Sequence, residues 1–199
     1  MKKLAIVALF LLVVFTLSAC SGQPASTGLQ LAPAELTEEE KNVLSLLGDS
    51  KAALFDFNVD ESIRSVRVER YELSADGTWQ SFGGGSFIVD GASGRLALSL
   101  NPTSNEIRLA IQDDHGTSAI RNDYPVSDFT GMSMTSSLLA SPVDIVPDQE
   151  IPLMVQILTN KNEVHSYTVE YFFHPEEYTK FDYEHVYAIT VTFSSDSLS

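Results

Sequence analysis

Gly94-Arg95-Leu96-Ala97-Leu98-Ser99-Leu100 and Glu106-Ile107-Arg108-Leu109-Ala110-Ile111-Gln112 both alternate large apolar side chains with small or polar ones. A period of two belongs to an extended strand, whose successive side chains point to opposite faces. Each segment therefore reads as a strand with one face buried. Between them stands Asn101-Pro102-Thr103-Ser104-Asn105, a run of turn-forming residues.

The same alternation recurs on either side. Phe55, Phe57 and Val59 alternate with Asp56, Asn58 and Asp60, and Val66 and Val68 open a strand that runs to about Leu73. Asp76-Gly77 is a hairpin signal. Trp79 and Phe82 follow it, Gly83-Gly84-Gly85 breaks the pattern, and Phe87–Val89 is a further short strand before Asp90-Gly91. Residues 116–148 carry Pro125, Gly131, Pro142 and Pro147 and read as irregular. Ile151–Leu158 is a strand that Pro152, lacking an N–H, places near a sheet edge. Thr159–Glu163 turn into a strand over Val164–Phe173. The last strand, Val186–Phe193, sets Tyr187, Ile189, Val191 and Phe193 on one face. No strand–helix–strand rhythm and no fixed repeat occurs, so the expected fold is mainly β, an antiparallel β-sandwich of about seven or eight strands.

One short helix precedes the strands. Thr37-Glu38-Glu39-Glu40 has the spacing of a capping box, with Thr37 as N-cap and Glu40 three residues later. Val43, Leu44 and Leu47 share one face, and Gly48 is a natural stop. An amphipathic helix from Glu38 to Leu47, packed on the domain, is expected. Residues 20–36 are small, polar and proline-containing and read as a flexible tether. The folded domain is expected to span 37–199.

The first residues carry an address. Lys2 and Lys3 precede Leu4–Leu17, a run of 14 residues that is apolar apart from Thr16, and Ser18 and Ala19 are small. This is the layout of a secretory signal, and the run is short of the roughly 20 residues that cross a bilayer. Leu17-Ser18-Ala19-Cys20 resembles the bacterial lipobox, over residues 1–20. The resemblance implies removal of residues 1–19, a diacylglycerol on the Cys20 sulfur, and a protein held at the outer face of the bacterial cell membrane, or in the outer membrane of a Gram-negative cell. Two acyl chains hold where one is marginal. The remainder, a helix followed by strands, resembles uncharacterised bacterial lipoproteins, a likeness that carries over no functional residue.

Composition excludes several classes. Cys20 is the only cysteine, so no disulfide, cysteine nucleophile or zinc-thiolate site is available. With 27 acidic against 12 basic residues the formal charge is −15, and loss of Lys2 and Lys3 makes it −17. Such a chain repels nucleic acid, which is gripped through lysine and arginine. Anionic headgroups repel it too, so the lipid is the expected contact with the membrane.

No stretch names a reaction. Asp56-x-Asn58-x-Asp60 starts like a calcium loop, but Glu61 and Arg67 stand where a glycine and a bidentate glutamate are needed. Gly83-Gly84-Gly85-Ser86 lacks the lysine and the helix of a phosphate loop. Gly91-Ala92-Ser93-Gly94 lacks the spacing of a nucleophile elbow. His115 beside Asp113 and Asp114, and His174 beside Glu176 and Glu177, have no metal-ligand spacing, nor do His165 and His185. Trp79 is expected to pack in a hairpin, not to form a sugar shelf. No cofactor, metal or catalytic residue is assigned. The expectation is a non-enzymatic binding or structural envelope domain with a glycan or protein partner. The alternative is an envelope glycan hydrolase using two carboxylates, drawn from acids such as Glu170, Glu176, Glu177, Asp182 and Glu184.

Overall fold

The computed structural model describes residues 28–46, 51–101, 106–123, 129 and 131–198. Cys20, the expected signal 1–19, Leu47, Gly48 and Pro125 lie outside the described residues.

Eleven strands and little helix make up the described chain. In order they are β1 (Gln30–Pro33), α1 (Glu38–Ser45), β2 (Lys51–Asn58), β3 (Ser65–Leu73), β4 (Trp79–Ile88), β5 (Ser93–Asn101), β6 (Glu106–Asp113), β7 (Gly116–Asp123), β8 (Ser133–Leu138), β9 (Val143–Asp144), β10 (Glu150–Thr159), a 3₁₀ turn (Val169–Phe173), α2 (Glu176–Thr179) and β11 (His185–Ser194). They form two antiparallel sheets. The first has the order β7-β6-β5-β2-β1-β9, the second β4-β3-β11-β10-β8. β5 and β6 pair as their alternation demands, with Leu96 opposite Ile111, Leu98 opposite Leu109 and Leu100 opposite Ile107.

One apolar cluster draws on both sheets. Phe55, Phe57, Leu96, Leu98 and Leu109 come from the first, and Val66, Val68, Ile189, Val191 and Phe193 from the second. Phe57 meets Phe193 edge to face across the core, centroids 5.5 Å apart. Burial of each such side chain contributes about 1.5–3 kcal/mol. A second cluster lies on the other face of the second sheet. There Val155, Ile157, Val186 and Ala188 pack with Phe172 and Tyr178. Residues 164–184 thus cover that face.

Several expectations are corrected. Among the described residues there are eleven strands, not seven or eight, and the additional ones are β1, β7, β8 and β9. Gln30–Pro33 fall within the stretch read as tether, yet pair with β2 and β9. Leu31 is fully buried and anchors that pairing. Residues 116–148 contain β7, β8 and β9. The triple glycine does not end a strand: β4 runs through it, with a register shift opposite Glu69 and Tyr71. A Cβ on Gly84 would lie 1.9 Å from the Val68 carbonyl oxygen, which is why glycine stands there. Pro152 does stand near a sheet edge: β10 lies beside the edge strand β8, whose pairing begins only at Met154, and Pro152 sits at a bulge against β11. Val164–Phe173 is not a strand but loop and 3₁₀ turn. Its aromatic side chains meet the apolar outer face of the second sheet, and that packing overrides their β-propensity.

α1 forms where its capping box predicts. The Thr37 side chain accepts the Glu40 N–H at 3.2 Å, and the Thr37 N–H donates to Glu40 Oε2 at 2.8 Å. Its apolar face is not packed as expected: the helix buries no residue, and Val43 and Leu46 are exposed. It is fastened by charge instead, since Arg95 reaches Glu40 at 3.0 Å and Asp56 at 2.6 Å.

Candidate functional site

The residues singled out by sequence scatter into local roles. Asp56 pairs with Arg95 on the neighbouring strand. Asp60 accepts the Ser62 N–H and hydroxyl, which hold its carboxyl below the usual range. Asp113 accepts the N–H groups of His115 at 2.8 Å and Gly116 at 3.1 Å, and the first of these leads in holding its carboxyl below the usual carboxylate range. It is the acid of a tight turn. His174 Nδ1 lies 3.4 Å from Glu176, Glu177 pairs with Lys180, and Glu184 accepts the Asn160 N–H at 3.0 Å. Glu170 lines a groove of its own. Trp79 packs as expected. It stacks on Phe172 at 5.1 Å and donates its indole N–H to the Phe172 carbonyl at 2.8 Å. Among the described residues, no group of three histidine, cysteine or acidic side chains is placed to hold a metal ion, and no helix is long and apolar enough to cross a membrane.

A different set of side chains converges, at one end of the space between the sheets. In β3 the inward positions read Val66, Val68, Arg70, Glu72, and in β11 they read Phe193, Val191, Ile189, Tyr187, His185. The core lining thus turns polar and aromatic toward the same end on two adjacent strands. Arg70 is buried, and its guanidinium lies 4.3 Å over the Tyr187 ring. Such a cation–π contact strengthens when desolvated. His185 stacks parallel to Tyr187 at 5.7 Å, and its Nδ1 lies 2.8 Å from Glu72. Phe129 sets its ring edge-on to His185 at 5.7 Å. Gln156 of β10 completes the lining and reaches Ser136 of β8 at 3.3 Å.

Beside this polar end the sheets stand apart. A cavity of about 230 Å³ lies between them, lined by Ala52, Ala53, Leu98, Leu100, Leu138 and Met154. Leu100 and Met154 also line the polar end, so the two spaces adjoin. At the C-terminal end of β8 lies a groove of about 430 Å³, walled by Ser137, Leu138, Ala140, Tyr167, Thr168 and Glu170, so that Leu138 stands between it and the inner cavity. Burial pushes the Tyr167 hydroxyl up. It is therefore a neutral donor and a flat apolar surface at ordinary pH.

One carboxylate pair exists that the sequence reading passed over. The Tyr71 hydroxyl lies 2.6 Å from Glu150 and 3.0 Å from Glu69, and Thr190 also donates to Glu150. Burial, then the hydrogen bonds to Glu150 and Glu69, push the Tyr71 hydroxyl well up. It keeps its proton, which it donates to one acid at a time, most closely to Glu150, and it stands between the two.

No protein family model matches the chain, and no curated protein or solved structure matches it either.

The inward phase of Arg70, Glu72 and His185 was legible as soon as their strands were recognised, because Val66 and Val191 fix it. The cavity was not, since residues 133–138 show no alternation.

Proposed function

We propose that this chain is a lipid-anchored extracytoplasmic binding domain, a β-sandwich that takes its ligand between the sheets beside β8. The carrying observation is the 230 Å³ cavity that opens next to Arg70, Gln156 and Tyr187. Apolar walls with a few convergent polar groups are the usual make-up of a ligand site. The signal-like residues 1–19 and Cys20 support the anchor. Two acyl chains there keep an acidic domain at the surface without help from basic residues.

The hydrolase alternative draws less support. Glu69 and Glu150 have the Tyr71 hydroxyl between them, where a glycosidase needs room for the sugar or an attacking water.

Two experiments test the reading. Cys20→Ser should move the protein from membranes to the soluble fraction or leave the precursor uncleaved. Unchanged fractionation and mass would refute the anchor. For binding, the full chain is melted with a panel of extended peptides, envelope glycans and divalent cations. A ligand of the folded state at 100-fold its Kd stabilises by about 2.7 kcal/mol. The rise in Tm should shrink sharply in Ala53→Phe, whose ring would take up part of the cavity. No rise with any probe, or a rise that survives undiminished in Ala53→Phe, would sink the cleft.

A further inference from the structure

Four strands end the two sheets, and three have blunted edges. β9 is two residues long. β7 carries Arg121. β4 is shifted in register around Gly84. Short edges, charge and bulges are the devices that keep sheet edges from pairing with other chains. β8 has none of them. Ser133-Met134-Thr135-Ser136-Ser137-Leu138 holds no charge and no proline and pairs with β10 over its whole length.

Its register shows which groups face out. The Leu139 N–H donates to the Leu153 carbonyl at 2.9 Å, continuing the pairing of Leu138 with Met154. In an antiparallel ladder the residues that bond to a neighbour alternate with those that do not. Ser133, Thr135 and Ser137 therefore bond to β10, and the N–H and C=O groups of Met134, Ser136 and Leu138 point away from it. Among the described residues no strand pairs with that side.

Recesses flank this edge. The inner one is the apolar cavity, to which Ser136 and Leu138 contribute. The outer one is the groove with Ser137, Tyr167 and Glu170. A strand laid along β8 would send alternate side chains into each. That combination, a bare backbone edge for affinity and pockets of period two for specificity, is what strand addition requires.

We propose that β8 is a strand-addition site for an extended peptide segment that alternates aliphatic residues, seated in the inner cavity, with polar and basic residues in the outer groove. The basic preference follows from Glu170 in the groove and from the formal charge of −15. This rests on the ligand-binding reading above and names the ligand's class.

The test uses the full chain in nanodiscs and a fluorescent octapeptide alternating valine with lysine and serine, followed by anisotropy. Saturable binding is expected. N-methylation of one alternate set of peptide amides should weaken it by roughly tenfold or more, while methylation of the other set leaves it within about twofold. Ser136→Pro removes an N–H that makes no bond to β10, together with the Ser136 hydroxyl that accepts from Gln156, so it should fold with a Tm within a few degrees of the parent and lose binding by a similar factor. Equal losses from both methylated sets, or undiminished binding in Ser136→Pro, would overturn the proposal. So would a dimer of the full chain that Ser136→Pro dissociates, because a second copy would then occupy the edge. A glycan that raises Tm while the peptide does not bind overturns strand addition alone. No response to any probe overturns the ligand-binding reading with it.

Discussion

Phe172→Ala tests whether residues 164–184 are an integral cover of the second sheet. The Phe172 side chain is 5 % exposed. Its ring lies 5.1 Å from Trp79, 5.7 Å from Tyr71 and 5.3 Å from Phe173, centroid to centroid. Removing a buried phenylalanine ring costs about 3–5 kcal/mol, depending on how far the neighbours collapse. Trp79 and Tyr71 are only half-buried and can lean into the gap, so the loss should sit near the lower end, about 3 kcal/mol. For a chain of this size each kcal/mol moves Tm by about 2–4 °C, which gives a fall of about 6–12 °C. The assay has a built-in reporter, because Trp79 is the only tryptophan. Its emission should shift to the red in the folded variant, as water reaches the face that Phe172 covered. Phe173→Ala is the control: that ring is 56 % exposed and should cost under about 1 kcal/mol. Equal losses from the two variants, or an unshifted emission with a Tm within about 2 °C of the parent, would refute the cover.

Three further outcomes follow from the packing. Gly94→Ala should cost about 3 kcal/mol or more, because a Cβ there lies 2.4 Å from Phe57 Cζ and 2.5 Å from the Gln112 carbonyl oxygen. Trimming the ring with Phe57→Leu should not restore Tm, since the carbonyl stays; a full rescue would place the clash in the side chain alone. Thr37→Ala should cost α1 about 1 kcal/mol, read as faster amide exchange within the helix, without a change in Tm, because the helix buries no residue. A global loss of several degrees would show that α1 belongs to the cooperative unit. Asp113→Asn should lower Tm at pH 7 and converge with the parent at low pH. The folded carboxyl is held below the unfolded value of 3.8, so its contribution is full above that value and is lost as pH falls through the folded one. A difference that grows on acidification would mean that Asp113 is not stabilised as the anion.

The sheets were legible wherever one face of a strand is buried and the other wet. β5, β6, β3 and β11 announce themselves through alternate burial of Leu96, Leu98, Ile107, Leu109, Val66, Val68, Val191 and Phe193. β7 escaped because it is an edge strand: only Ile120 of its residues packs on the core, and one apolar residue carries no period. β1 is an inner strand but only four residues long, and Leu31 is its one buried residue, so it too carries no period. Val164–Phe173 shows the opposite failure. Val164, Tyr167, Val169 and Phe172 have the composition of a strand, yet each sheet already has its strands. What remained for Val164, Tyr167 and Phe172 was the bare apolar face formed by Val155, Ile157, Val186 and Ala188, while Val169 packs into the cluster between the sheets. Local propensity cannot foresee that competition.

The candidate site splits along the same line. Its polar end was written in the sequence as a change of residue type at fixed phase, Val68 to Arg70 on β3 and Ile189 to Tyr187 to His185 on β11. Alternation reports which face a residue occupies and is silent on chemistry, so a charged residue at an inward position is the signal, and Arg70 carries it. The edge of β8 was unwritten for a physical reason. Met134, Ser136 and Leu138 are neither deeply buried nor fully wet. A strand whose inner face looks into a cavity and whose outer face looks into a groove has no contrast to imprint on its side chains. The missing hydrophobic period is then itself the trace of the opening. If strand addition holds, the bound segment should supply the alternation that β8 lacks, and its aliphatic residues should be buried opposite Leu98, Leu100 and Met154.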